Sequence, residues 1–175
     1  SLRQVVNDYH EAATPKAVID YAFHLIVTDP TPQALGQELP ALIKDGYTSF
    51  KIYMTYDAMK VSDYQILDIL AVARRDGALV MVHAENHDII QWLAHHLVEQ
   101  GHGAPKFHAI AHARIAEAEA TNRAISLARL VDAGHPVELV ECVAAQEVGH
   151  AADGGAQRGA VAGGVVDARE DDLRR

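Results

Sequence analysis

A lysine set inside an apolar strand constrains this chain more than any other feature. Lys51 lies in Thr48-Ser-Phe-Lys-Ile-Tyr-Met-Thr-Tyr56, flanked by Phe50, Ile52 and Met54. An ammonium costs several kcal/mol to bury unless it is paired or loses its charge. One reading places Lys51 near a strand end, where it snorkels to water. The other is carboxylation, in which the deprotonated amine adds carbon dioxide and becomes a carbamate, an anionic two-oxygen ligand able to bridge two divalent metals. A second apolar run, Leu79-Val-Met-Val-His-Ala-Glu-Asn86, ends on His83. Its imidazole is either a hydrogen-bonded structural group or a metal ligand, at about 2.0–2.1 Å if the metal is zinc.

Four short apolar or β-branched runs, at residues 23–28, 48–54, 78–83 and 137–142, alternate with amphipathic segments. That order predicts βαβ units and a parallel sheet. Strand alternation puts Lys51, Tyr53 and Thr55 on one face and Phe50, Ile52 and Met54 on the other, with Lys51 expected on the inward face. Thr31-Pro32 signals a helix start, Pro40 a break before Ala41-Leu-Ile43, and Gly46 a stop. Ser62-x-x-Gln65 is a capping box, followed by the apolar face Ile66, Leu67, Ile69, Leu70 and Ala73 and a stop at Gly77. A third helix is expected over 87–100, with Ile89, Ile90, Leu93 and Leu97 on one side and Gly101 ending it. A loop then precedes a fourth helix near 115–133, packed through Ala118, Ile125, Ala128 and Val131. The mixed stretch from Val5 to Tyr21 has room for a short helix.

The chain has 175 residues, one cysteine and a formal charge of −9. Its length suits one ordinary domain. A lone Cys142 excludes an internal disulfide and a cysteine-based zinc site. The acidic balance, with no Lys/Arg stripe, argues against a nucleic-acid partner. No signal-like start is present, and no apolar run approaches the roughly 18 residues of a membrane helix, so the expectation is a cytoplasmic protein without a membrane partner. Eleven histidines are many for this length, but they are scattered. His95 and His96 fall mid-helix and His108 and His112 in a loop-like run, which suggests solvated or structural roles.

Asp20-Tyr-Ala-Phe-His-Leu-Ile-Val-Thr-Asp-Pro30, Gly46-Tyr-Thr-Ser-Phe-Lys-Ile-Tyr-Met-Thr-Tyr56, Val82-His-Ala-Glu-Asn86 and Glu117-Ala-Glu-Ala-Thr-Asn-Arg-Ala-Ile125 follow one another here. In this order and near this spacing they resemble the cyclic amidohydrolases of the D-hydantoinase and dihydropyrimidinase family, over about residues 1–140. The resemblance implies an α/β fold, a partial (β/α)8 TIM-type barrel of about four parallel βα units spanning 1–145, where chemistry sits at the carboxyl ends of the strands. It implies hydrolysis of a cyclic amide, a hydantoin or dihydropyrimidine, at two divalent metal ions, zinc being the expected metal. By the same resemblance Lys51 is the carboxylated bridging lysine, His83 a metal ligand, and Tyr56 the residue that hydrogen-bonds the substrate carbonyl and its tetrahedral intermediate. Glu85 and Asn86 then support the ligand or cap a helix. Full-length members commonly form homo-oligomers.

The chain departs from the family pattern in several places. It contains no His-x-His, and Val140-Glu-Cys-Val143 stands where the family carries a histidine-bearing strand, which puts Glu141 at that position. Similarity fades near Leu139, and a Gly/Ala/charge-rich stretch follows, predicting a disordered tail over 146–175. That change has the look of a shifted reading frame or a gene fragment, and the chain is expected to be an incomplete, weakly active or inactive form. Two rival functions remain. One is a non-catalytic, dihydropyrimidinase-related binding or assembly module, disfavoured because such relatives replace the bridging lysine that is kept here. The other is an allantoinase or dihydroorotase, which shares that lysine and differs in substrate.

Overall fold

The computed structural model describes residues 1–131; the strand expected at 137–142, Glu141 and the 146–175 tail lie outside the described residues. Within that span three parallel strands form one sheet in the order β1 (Leu25–Ile26), β2 (Ser49–Tyr53), β3 (Leu79–His83). The fold is therefore α/β with a parallel sheet. Lys51 sits in the central strand, level with Ile26 on one side and Met81 on the other. Strand β1 is shorter than its apolar run suggested. Its pairing stops after Leu25–Phe50 and Ile26–Lys51, with one further bond from the Val27 N–H to the Lys51 carbonyl at 2.9 Å.

The two faces of the sheet differ sharply. Phe50, Ile52, Val80 and Val82 are buried under helices on one side. Ile52 is 0% exposed, and each such side chain contributes about 1.5–3 kcal/mol through its burial. Their cover comes from α2 (Leu39–Lys44), α3 (Asp63–Asp76) and α6 (Arg114–Leu130), which bring Leu39, Leu42, Ile66, Ile69, Leu70, Ala120 and Ala124 into the same core. Ser49, Lys51 and Tyr53 are half-buried on the opposite face. Helix α1 (Leu2–Ala13) fills the mixed N-terminal stretch and anchors through the buried Val6.

Several helix boundaries follow from their caps. Ser62 and Gln65 form the expected reciprocal capping box, and Gly77 at φ 80° closes α3 in a left-handed conformation that costs glycine nothing. Helix α4 (His87–Glu99) starts at Asn86, whose side chain accepts from the Ile89 N–H at 3.1 Å. The Asn86 N–H in turn donates to the Ala116 carbonyl at 2.9 Å, and its side-chain amide donates to Glu119. Arg123 reaches Asp63 at 3.0 Å. In this way Glu119 and Arg123 of α6 tie the end of β3 to the start of α3.

Three expectations need correction. Pro40 does not break its helix: residues 34–38 form a π turn in which the Leu39 N–H reaches the Ala34 carbonyl, and α2 continues through the proline to Lys44. The widened turn absorbs the ring and the missing N–H that would disrupt a regular α-helix. The packed face of α6 is Ala116, Ala120, Ala124 and Ala128; of the expected set Ala128 is buried and Val131 packs half-buried against the core, whereas Ala118 is exposed. Alanine carries little signal of its own, and here the small side chains let α6 approach α3 while the larger Ile115 and Leu130 face outward. The loop-like run at 105–112 holds a short 3-10 turn and α5 (His108–Ala111). No helix among the described residues is long and apolar enough to cross a membrane.

Candidate functional site

The half-buried face of the sheet gathers the residues singled out in the sequence. Parallel register sets Tyr53 directly beside His83, and their rings stack with centroids 5.2 Å apart and planes 28° apart. The Lys51 amine lies 5.3 Å from the centre of the Tyr53 ring, within cation–π range. Tyr56, just past the end of β2, brings its ring to 5.2 Å from that of His83 and 6.0 Å from that of Tyr53. Lys51, Tyr53, His83 and Tyr56 thus form one continuous line of contacts along the carboxyl ends of β2 and β3. Tyr53 is the member that sequence reasoning assigned no role, although its i+2 spacing from Lys51 was the available signal.

Tyr56 holds a backbone φ of 69°, the one positive value at a non-glycine residue among the described residues. A bulky side chain in the left-handed region costs about 1–3 kcal/mol and persists only where its surroundings impose it. The turn does so in part: the Tyr56 carbonyl accepts from the Met59 N–H at 2.9 Å and the Lys60 N–H at 2.8 Å, and the Val61 N–H returns to the Tyr53 carbonyl at 3.0 Å.

Behind His83 is a buried polar chain. His83, 2% exposed, donates from Nε2 to Glu85 Oε2 at 3.0 Å, and His112 donates from Nδ1 to Glu85 Oε1 at 2.9 Å. A carboxylate can only accept, so the contact places a proton on His83 Nε2 and leaves Nδ1 of the neutral ring with the lone pair. Burial pushes the Glu85 carboxyl up, but hydrogen bonds from His112 and His83 and the positive charge of those rings when protonated outweigh it and hold the group below its ordinary value. Glu85 thus contacts His83 directly. His112, expected in a solvated or structural role, is hydrogen-bonded to a specific partner 27 positions away that its sequence context does not reveal. The clue to the His83–Glu85 contact is His83-Ala-Glu85, an i, i+2 pair on an extended segment.

Among the described residues no three His, Cys, Asp or Glu side chains converge as a metal would require. The donor types fit a divalent ion in part: Lys51, if carboxylated, and His83 through its other ring nitrogen would be two ligands on one face, fewer than the three protein ligands of a catalytic zinc.

The chain is 42% identical to the D-hydantoinase of Geobacillus stearothermophilus over 148 residues, covering 83% of the chain. A solved D-hydantoinase structure superposes with a TM-score of 0.73 at 41% identity over 75% of the chain. The chain belongs to the D-hydantoinase and dihydropyrimidinase family. A dihydropyrimidinase from Brevibacillus agri NCHU1002 is similarly placed, at TM-score 0.71 and 39% identity over 75% of the chain. No family model matches. The chain spans under a third of these family members, 31% of the Geobacillus protein and 29% of each solved chain. Residues 1–139 make up less than 83% of 175, so the aligned stretch runs past Leu139, the point near which the resemblance is expected to end.

Proposed function

We propose that this chain is part of a metal-dependent hydrolase that opens cyclic amides of the hydantoin or dihydropyrimidine type, and that its three-stranded sheet is a section of a (β/α)8 barrel. The observation that carries the reading is the shared face of Lys51, His83 and Tyr56 at the carboxyl ends of neighbouring parallel strands, where such barrels hold their chemistry. Family resemblance to D-hydantoinases supports it.

In this reading Lys51, carboxylated, and His83, through Nδ1, would hold divalent ions, zinc foremost. The ions would supply an acidified water for attack on the ring carbonyl. The remaining steps belong to the chain. Glu85 keeps the His83 proton on Nε2, so the opposite nitrogen stays available. The Tyr56 hydroxyl donates to the substrate carbonyl oxygen and strengthens that bond as negative charge builds there. Tyr53 walls the site between Lys51 and His83 and limits the rotation of both. A small cyclic amide is the partner this arrangement suits.

The test is direct. The 175-residue chain is incubated with zinc and carbon-13 bicarbonate, and a carbamate carbon resonance is sought by NMR. The resonance is expected in the wild type and absent in Lys51→Arg. Its absence from both, or its persistence in Lys51→Arg, overturns the assignment of Lys51.

A further inference from the structure

We propose that His87 is the positioning residue for Tyr56, and this rests on the reading that Tyr56 acts on substrate. The two residues that flank Tyr56 both end on one imidazole. Thr55 Oγ1 lies 3.4 Å from His87 Nδ1, and Asp57 Oδ1 lies 3.2 Å from His87 Nε2. The chemistry orders the two contacts: a carboxylate beside Nε2 favours the proton there, and the neutral ring's Nδ1 then accepts from the Thr55 hydroxyl. One ring therefore clamps the chain immediately before and immediately after its left-handed residue.

His87 suits a fixed post. It is the first residue of α4, directly after the Asn86 cap, and α4 is anchored to α6 through the Asn86 N–H and the Ala116 carbonyl. Its side chain is nearly buried, as is Thr55, whereas the Asp57 side chain is 81% exposed. An exposed ion pair contributes little, so the Thr55 arm carries most of the hold and Asp57 sets the tautomer. Lys60 lies 3.3 Å from the same carboxylate. The backbone bonds to the Tyr56 carbonyl close the turn from within, while His87 fixes it to the neighbouring βα unit. The direction of the Tyr56 hydroxyl then depends on a residue that never touches the substrate.

Hydrogen exchange and NMR on the 175-residue chain, labelled with nitrogen-15 and with carbon-13 tyrosine, read this without needing activity. In the wild type the Met59 and Lys60 amides should be protected, and the Tyr56 ring signals displaced by the His83 and Tyr53 rings. In His87→Ala those two amides should exchange about tenfold faster or more, with Ile52 and Val82 unchanged and the Tyr56 ring signals moving toward those of free tyrosine. His87→Gln, whose side chain can accept from Thr55 and donate to Asp57, should restore most of the protection. If His87→Ala does not fold, the surface variant Asp57→Ala should show the same changes at smaller size. Unchanged protection and ring shift in the variant that folds, or His87→Gln as damaging as His87→Ala, would overturn the clamp. A Tyr56→Phe chain that binds hydantoin as the wild type does would remove the role of Tyr56 in chemistry and leave the clamp standing.

Discussion

Tyr53 and His83 stack face to face because parallel pairing makes them register partners, one on the central strand and one on its neighbour. Their contact joins the Lys51 side of the site to the Glu85 side. A Tyr53→Leu variant keeps apolar volume and loses the ring. It should be less stable by about 0.5–1.5 kcal/mol, the range of an aromatic pair beyond its buried area, and should broaden the His83 ring signals. Urea denaturation and histidine NMR check the two halves, and sharp His83 signals in the variant would count against this role for Tyr53.

Glu85 holds two histidines, so its loss leaves buried donors without an acceptor. Glu85→Leu should cost about 1–3 kcal/mol or more at neutral pH. The sign of the pH dependence follows from the lowered carboxyl. Its stabilising contribution is present above the ordinary carboxylate value and is lost as pH falls through the lowered one. Denaturation of wild type and variant between about pH 7 and about pH 3 should therefore show the gap closing on acidification. A gap that widens toward low pH contradicts the assignment.

The alanine stripe of α6 makes a prediction about size. Ala124 is buried at 2% exposure, and Ala124→Leu should destabilise by about 1–3 kcal/mol by forcing α6 away from α3. Ala118→Leu, on the exposed side of the same helix, should stay within about 0.5 kcal/mol of wild type. Thermal denaturation of the pair decides it, and equal effects would mean that α6 does not pack through its small residues.

Trp92, Val98, Ile115 and Leu130 are exposed, and among the described residues β1 and β3 each pair with one strand only. Open edges and apolar surface favour association. Light scattering on a size-exclusion column should show species larger than a monomer. A sharp monomer peak, with slow exchange throughout 48–54 and 78–83, would show that these βα units are sufficient for their own core.

The parts of this fold that were legible in the sequence have local causes. The capping box at Ser62, the Gly77 stop, the Asn86 start and the alternation around Lys51 each depend on residues within a few positions of one another. What was not legible depends on partners far along the chain. His112 meets Glu85 across 27 positions and His87 meets Thr55 across 32, and no periodicity encodes either contact. Only Ala128 and Val131 of the packed side of α6 are legible, because an alanine-rich helix offers nearly equal faces until its neighbour is known. The assignment of Lys51, Tyr56 and His83 rests on family resemblance and strand context together; spacing alone leaves the snorkelling lysine and the structural histidine open.

The π turn at 34–38 and Pro40 protect each other from mutation. The turn is in effect one residue too many for a regular helix, and removing that residue would return Pro40 to an α-helical interior, at a cost of about 3 kcal/mol or more. Replacing Pro40 first would remove that penalty, and the deletion could follow with little harm. Along any line of descent the two changes are therefore tolerated in one order and not in the other, so the extra residue persists for as long as the proline does.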